Sequence, residues 1–265
     1  MIAISNILVP TVLSPSCAWA ARYAAQLARR LDAKLIFLHT GSRPQQEVED
    51  FLIPLLDNSP HEVVIRQGDP AEVIAQFARE LPADMILMPT HAGGRFRRFL
   101  LGSVTAKVLH DADCPVLTGV HRDDLPASPS ADIRNIICAV DADSSFAPVL
   151  RCALDLKTVF HANLKIVHAI AAADETSDSP GETEIRRYLF ELAKDKFDVL
   201  CREAGVNVTI SLAGGPVHRV VREAALHENA ELMIIGRGHM QRALGRLRTH
   251  AYAVIRNSPC PVLSI

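Results

Sequence analysis

The sequence predicts an α/β protein built from two copies of one folding unit. Short apolar runs, typical of buried strands, alternate with segments of helical periodicity, and this order is typical of parallel sheets with crossover helices. The stretch 88–117 also recurs at 234–263. In each copy an apolar run leads into a loop containing Gly and Arg, a short helix follows, and a Cys-Pro-Val-Leu strand closes the unit. With 265 residues, 49% of them hydrophobic, the chain can bury two separate cores.

Composition and charge exclude several classes of protein. A formal net charge of -2 and a pI near 6.6 give no reason to expect a nucleic-acid partner. No stretch approaches the roughly 18 apolar residues of a membrane span, and the N-terminus lacks a signal-peptide pattern, so we expect a cytoplasmic protein without a membrane partner. The cysteines form no Cys-x-x-Cys pair, which favours buried reduced thiols over disulfides or zinc ligands. They are Cys17, Cys114, Cys138, Cys152, Cys201 and Cys260.

The first half, residues 1–122, contains five predicted strands and four predicted helices. Ser14 before Pro15, and Asp69 before Pro70, are typical helix starts, with a capping side chain and a proline at the first helical position. We expect Pro10 to end the first strand. The strands are predicted at 7–9, 35–39, 63–65, 85–88 and 115–120, and the helices after Ser14, over 44–58, after Asp69 and over 103–110.

The second half, residues 133–265, repeats the first after a linker at 123–132 that is rich in Pro, Ser and Asp. Asn135 mirrors Asn6, and His168 mirrors His39 at the end of the equivalent strand. We interpret both histidines as structural or pocket-wall residues. The second half differs by an insertion within 171–184, which is either a recognition loop or a mobile one. A long helix follows it and runs through Tyr188, Leu192, Phe197 and Leu200.

Both halves resemble universal stress protein domains in tandem, and the similarity covers nearly the whole chain. The resemblance implies two tandem Rossmann-like domains, each a five-stranded parallel sheet with helices on both faces. Family members that bind ATP carry G-x2-G-x9-G-(S/T) after the fourth strand and an Asp after the first. Such glycines let the backbone approach phosphate, the helix N-terminus favours anions, and the carboxylate anchors the adenine or ribose end.

The first half departs from the nucleotide-binding pattern. The anchor Asp falls on Val12, which cannot accept a hydrogen bond, and the first two glycines fall on Pro89 and Ala92. Only Gly102 and Ser103 match. We therefore expect the first site to be degenerate, with Gly102-Ser103 retained as a helix cap.

The second half keeps more of the pattern. Asp141 stands at the anchor position, Gly236 matches the first glycine, and His239 with Gly238 beside it replaces the second. Arg248 replaces the final glycine, and its side chain would either obstruct the backbone or pair with a phosphate. The nucleotide-binding candidates of this half are Ala139, Val140, Asp141, Ala169, Gly236, Gly238, His239, Arg248 and Thr249.

Two functions remain open from the sequence. One is a regulatory protein of stress adaptation that binds ATP or another adenine nucleotide in the second domain, with no metal other than nucleotide-associated Mg. The other is a nucleotide-independent tandem scaffold that acts through protein contacts. An enzyme ranks last and no catalytic residue is assigned, because the chain has no S-G-G-x-D-S loop, no H-x-G-H signature and no base beside a nucleophile.

The resemblance also bears on assembly. Single-domain relatives dimerise, which implies an intramolecular pseudo-dimer of the two domains in a tandem chain. We expect the strands at 115–120 and 261–265 to pair edge to edge, so that neither is left as an unpaired edge. A homodimer of tandem chains and unidentified protein partners stay open.

Overall fold

The structure is a computed structural model that describes residues 4–90, 101–120, 129–173, 180–237 and 248–265. The chain divides into two compact units. Unit 1 comprises Met1–Asp132 with Pro261–Ser264, and unit 2 comprises Ile133–Cys260 with Ile265. Each unit is an α/β structure with a mostly parallel sheet, which confirms the predicted fold class.

The described strands and helices alternate along the chain. In chain order they are β1 (Asn6–Thr11), α1 (Pro15–Leu31), β2 (Lys34–Thr40), α2 (Gln45–Leu52), β3 (His61–Arg66), α3 (Pro70–Glu80), β4 (Met85–Met88), α4 (Ser103–Asp111), β5 (Val116–Thr118), β6 (Asn135–Ala139), α5 (Phe146–Phe160), β7 (Asn163–Ile170), α6 (Pro180–Ala204), β8 (Ile210–Gly214), α7 (Val217–His227), β9 (Leu232–Ile235), α8 (Arg248–Asn257) and β10 (Val262–Ser264). Short 3-10 turns follow α2 at Ile53–Leu55 and β7 at Ala171–Ala173.

In unit 1 the strand order is β3-β2-β1-β4-β5-β10. The first five strands are parallel, and β10 pairs antiparallel with β5, with Leu263 opposite Leu117. The predicted pairing of the two Cys-Pro-Val-Leu strands is therefore confirmed. Because β10 covers β5, that edge of the parallel sheet is not left open to another chain.

In unit 2 the strand order is β9-β6-β7-β8, and all of these strands are parallel. The last strand of the second repeat, β10, is grouped with unit 1, so only Ile265 of that segment belongs to unit 2. The Ile265 N–H donates to Ile235 O at 2.9 Å, and the Arg237 N–H donates to Ile265 O at 2.9 Å.

The central strands are buried almost completely. Ile7, Leu8 and Val9 of β1 are 0–1% exposed, and all four residues of β4 are buried. Continuous apolar runs of this kind are expected of parallel strands that are covered on both faces.

The helix starts follow the predicted chemistry, whereas Pro10 does not end β1. Ser14 Oγ accepts the Cys17 N–H at 3.3 Å, and Asp69 Oδ1 accepts the Glu72 N–H at 3.1 Å. Pro10 lies inside β1, opposite Leu38 of β2. The described pairing of β1 with β4 stops at Leu8, so the N–H group that Pro10 lacks is not needed for any described pairing with β4.

A carboxylate holds the start of the first strand in each unit, a feature that sequence reasoning missed. In unit 1, Asp84 Oδ2 accepts the N–H groups of Ser5 at 2.8 Å and Asn6 at 2.9 Å. In unit 2, Glu231 Oε2 accepts the N–H groups of Arg134 at 3.2 Å and Asn135 at 2.7 Å. Both carboxylates come directly before the strand that neighbours the held one, β4 or β9.

The end of the linker is bound to α1. Gln26 Nε2 donates to Pro129 O at 2.6 Å, and Gln26 Oε1 accepts the Ala131 N–H at 3.1 Å. Arg30 forms an ion pair with Asp132 at 2.8 Å. Residues 129–132 are thus part of unit 1, whereas 121–128 lie outside the described residues.

Candidate functional site

Asp141 lies just beyond the carboxyl end of β6. The Val140 N–H donates to Val167 O at 3.0 Å, which extends the pairing with β7 one residue past the end of β6. Val140 is 4% exposed, but the side chain of the next residue, Asp141, is 69% exposed. The sheet therefore presents one carboxylate to solvent at the edge where α/β sheets bind ligands.

His168, on β7, lies beside Asp141. Its Nδ1 donates to Val140 O at 2.8 Å, and the same nitrogen is 3.8 Å from Asp141 Oδ1. Because a carbonyl oxygen can only accept, Nδ1 is the donor nitrogen of this hydrogen bond. The side chain of His168 is 16% exposed, so most of the imidazole is buried beside Asp141.

Two aromatic rings pack behind His168. Phe197 of α6 meets His168 edge-on, with ring centroids 4.8 Å apart, and Phe146 of α5 lies 5.6 Å from Phe197. Sequence reasoning placed Phe197 in the long helix but did not assign it to the site. No local sequence signal identifies this contact, because it depends on how α6 packs against β7.

Gly236 follows β9 and faces the first turn of α5. A Cβ at Gly236 would lie 3.0 Å from Ser145 Oγ and 3.2 Å from Val149 Cγ2, so these side chains would have to shift to admit a larger residue. Ser145 is itself fixed, because Asp143 Oδ1 accepts both its N–H at 2.8 Å and its Oγ–H at 2.6 Å. The first glycine of the motif therefore has a packing role in this chain.

The structure places the other candidate residues as follows. Ala139 ends β6, opposite both Val167 and Ile235, and Ala169 follows His168 on β7. Arg248 and Thr249 are the first residues of α8. Gly238 and His239 lie outside the described residues.

Unit 1 has the same scaffold without the carboxylate. His39 Nδ1 donates to Thr11 O at 2.9 Å, as His168 does to Val140 O, but the next residue is the half-exposed Val12. Gly102 and Ser103 lie at the start of α4, where Gly102 is the N-cap residue and no side chain caps the helix. The Gly102 N–H already donates to Thr90 O at 2.8 Å, and Pro89 O accepts the Thr105 hydroxyl. Ala92 lies outside the described residues.

Four cysteines are buried free thiols, as predicted, namely Cys17, Cys138, Cys152 and Cys260, whereas Cys114 and Cys201 are only half-buried. Burial raises the pKa of Cys260 to about 12 and that of Cys152 to about 12, and it also raises the pKa of Cys138. Buried thiols with raised pKa values are poor nucleophiles at neutral pH.

Within the described residues, no group of three or more His, Cys, Asp or Glu side chains could hold a metal ion. None of the helices there is long and apolar enough to cross a membrane.

Comparison with known proteins gives concordant results. The model of the universal stress protein family matches residues 57–118 and 132–265. A Staphylococcus aureus (strain USA300) protein assigned to this family is 29% identical in an alignment of 150 residues, which covers 48% of this chain and 90% of that protein.

Two solved structures match almost the full chain. A functionally unknown protein from Pseudomonas aeruginosa PAO1 has a TM-score of 0.68 at 18% identity, covering 99% of this chain and 92% of its own. A universal stress protein from Archaeoglobus fulgidus DSM 4304 has a TM-score of 0.66 at 20% identity, covering 98% and 95%. At these identities the likeness shows the fold. Since the family model matches most of the chain in two segments, the chain belongs to the universal stress protein family, with two domains in tandem.

Proposed function

We propose that this chain is a regulatory protein of stress adaptation whose second domain binds an adenine nucleotide. The observation that carries the proposal is Asp141, a carboxylate with a 69% exposed side chain at the carboxyl end of β6, beside His168. Unit 1 has Val12 at the equivalent place, so the proposal assigns the nucleotide to unit 2 alone.

The residues of unit 2 fit such a ligand. The Asp141 carboxylate can accept hydrogen bonds from ribose hydroxyls or from the adenine amino group. The hydrogen bond from His168 Nδ1 to Val140 O holds the backbone just before Asp141, and so fixes the position of the residue that carries the carboxylate. Arg248 and Thr249 begin α8, and a helix N-terminus with an arginine suits a phosphate group. A magnesium ion would accompany the phosphates as part of the ligand.

We also propose that the protein is not an enzyme. A sensor needs only a difference in stability or partner affinity between its bound and free states. We expect no release of phosphate from ATP above the rate of a buffer blank. Turnover above that blank, abolished by Asp141→Ala, would revive an enzymatic role.

A scaffold without nucleotide is the second candidate, and unit 1 favours it. There the anchor position is apolar, and the N–H of Gly102 is committed to Thr90 O at 2.8 Å. If unit 2 were also unable to bind nucleotide, both repeats would serve protein contacts only.

The nucleotide content of the purified protein separates these two candidates. The protein is denatured, released adenine nucleotide is quantified by chromatography, and thermal unfolding is followed with ATP, ADP and AMP. We expect the wild type and the control Val12→Ala to carry nucleotide or to gain melting temperature with it, and Asp141→Ala to do neither. No released nucleotide and no thermal shift in the wild type would favour the scaffold.

A further inference from the structure

Helix α6 exposes a row of large apolar side chains. Ile185, Tyr188, Leu192 and Val199 are 60%, 62%, 52% and 43% exposed, respectively. They are spaced by three, four and seven residues, so they lie on one face of the helix. These four residues are named the α6 stripe. Phe197, on the opposite face, is 3% exposed and packs against His168.

The packing of unit 2 does not account for the α6 stripe. A helix that packs only against its own domain turns its apolar face inward and shows charged residues outside. Here apolar residues occur on both faces, because Phe197 packs inward while the stripe faces solvent. A row of exposed, large apolar side chains of this kind indicates an interaction surface.

The charges beside the stripe indicate what it can bind. Glu184, Glu191 and Asp198 each directly precede a stripe residue and recur at seven-residue spacing, so they form an acidic row along one edge. All three are exposed, and Glu184 has a 3.9 Å ion pair with Arg187 of the same helix. Asp195, also exposed, lies within the stripe between Leu192 and Val199.

This charge pattern disfavours a second copy of the chain. In an antiparallel pair of α6 helices, the acidic row would face the acidic row of the other copy. In a parallel pair in register, Asp195 would face Asp195 and Arg202 would face Arg202. Both arrangements oppose like charges, which destabilise helix pairs.

We propose that the α6 stripe is a docking surface for an amphipathic helix of another protein, one with an apolar face flanked by Lys or Arg. The apolar residues of that helix would cover Ile185, Leu192 and Val199, and its basic residues would face the acidic row. In such a helix-to-helix contact the apolar anchors would supply affinity, and the flanking charges would select the partner. The proposal is independent of nucleotide binding.

A pair of synthetic peptides tests it on the full chain. Both are amphipathic helices of about three heptads with Leu at the a and d positions, and they carry either Lys or Glu at the e and g positions. A third peptide keeps the Lys residues but has Ser in place of Leu. We expect the wild type to bind the Leu/Lys peptide at least about ten-fold more tightly than either of the others, as measured by fluorescence anisotropy.

Variants of α6 decide whether this preference arises from the stripe. Leu192→Ser should weaken binding of the Leu/Lys peptide about ten-fold, while the matched surface control Lys194→Ala should not. Reversing the acidic row with Glu184→Lys, Glu191→Lys and Asp198→Lys should exchange the preference, so that the Leu/Glu peptide binds more tightly. Circular dichroism confirms that each variant is folded, and all the altered side chains are exposed.

Three results would overturn the proposal. One is equal binding of the Leu/Lys and Leu/Glu peptides, or no binding of either. Another is a preference that the triple charge reversal leaves unchanged, since the attraction would then come from elsewhere on the chain. The third is a dimer in sedimentation that Leu192→Ser dissociates, which would assign the stripe to a second copy.

Discussion

At the scale of single residues, two histidines show how the repeat positions its candidate site. His39 and His168 each donate from Nδ1 to the carbonyl 28 residues earlier, at 2.9 Å and 2.8 Å. That carbonyl belongs to the residue just before Val12 or Asp141. The same contact therefore supports the anchor position in both units, but only one unit has a carboxylate there.

Replacing these histidines separates a structural role from a binding role. His39→Ala and His168→Ala should each lower the free energy of unfolding by about 1–2 kcal/mol in urea titrations, since a buried carbonyl loses a partner. His39→Ala should cost more, because His39 is the more buried. Only His168→Ala should weaken ATP binding in calorimetry. Equal losses of ATP affinity in both variants would contradict the assignment of the site to unit 2.

The N-cap of α3 predicts a dependence of stability on pH. The hydrogen bond from the Glu72 N–H, with the Lys107 ammonium as a second cause, lowers the pKa of Asp69. The unfolded chain then binds this proton more readily than the folded one. The stabilisation is therefore present above the unfolded pKa of about 4 and is lost as pH falls through the lower folded value.

The variant Asp69→Asn keeps a capping oxygen but does not titrate. Between about pH 6 and pH 3, its urea midpoint should fall less than that of the wild type, because the charged cap is lost only in the wild type. Parallel curves for the two proteins would show that Asp69 does not contribute.

At the scale of secondary-structure elements, α6 is the main difference between the repeats, with 25 residues where α2 has eight. Its end is well defined. Gly205 has φ +67°, its N–H donates to Arg202 O, and the Val206 N–H donates to Cys201 O, which is the Schellman arrangement. The following strand, β8, ends at Gly214, which lies against the turn after β7.

Two glycine substitutions distinguish steric from conformational cost in this region. A Cβ at Gly214 would lie 2.0 Å from the backbone oxygen of Ala173, so Gly214→Ala should lower the free energy of unfolding by more than about 3 kcal/mol. Gly205→Ala meets nothing within 4 Å and should cost only about 1 kcal/mol, because of its positive φ. The measurement is urea denaturation, and similar costs for the two variants would contradict this packing.

How far the sequence predicts these elements depends on whether the signal is local. The starts of α1 and α3 were predictable, because a capping side chain and a proline act within four residues. Pro10 was misinterpreted because its tolerance depends on where β4 stops pairing with β1. The Asp84 and Glu231 contacts were missed because they join residues 78–79 and 96–97 positions apart.

The candidate site shows the same limit. The repeat and its motif were enough to predict Asp141, Gly236 and the start of α8 as parts of the candidate site. The contact between Phe197 and His168 does not follow from them, since it requires the packing of α6 against β7.

At the scale of the whole molecule, the C-terminal segment of the second repeat supplies a strand to unit 1. Residues 133–260 belong to unit 2, whereas β10 completes the sheet of unit 1 by pairing with β5. Val262 and Leu263 are 0% and 3% exposed. The final strand of the second repeat therefore contributes directly to the stability of the first unit.

Replacing two large side chains of β10 by alanine should therefore lower the stability of unit 1 as well as that of unit 2. Val262→Ala with Leu263→Ala should lower the free energy of unfolding by several kcal/mol, in the range of buried large-to-small substitutions. Calorimetry should show one transition that moves to lower temperature as a whole. Two transitions, with one at the wild-type temperature, would show that the units unfold independently.

The most direct test of the central claim is the number of ATP molecules bound by each chain, measured by isothermal titration calorimetry. The claim is that unit 2 binds nucleotide through Asp141 and that unit 1 does not. It predicts one molecule for the wild type and for Val12→Ala, and none for Asp141→Ala. Two molecules for the wild type, none for the wild type, or unchanged binding by Asp141→Ala would contradict it.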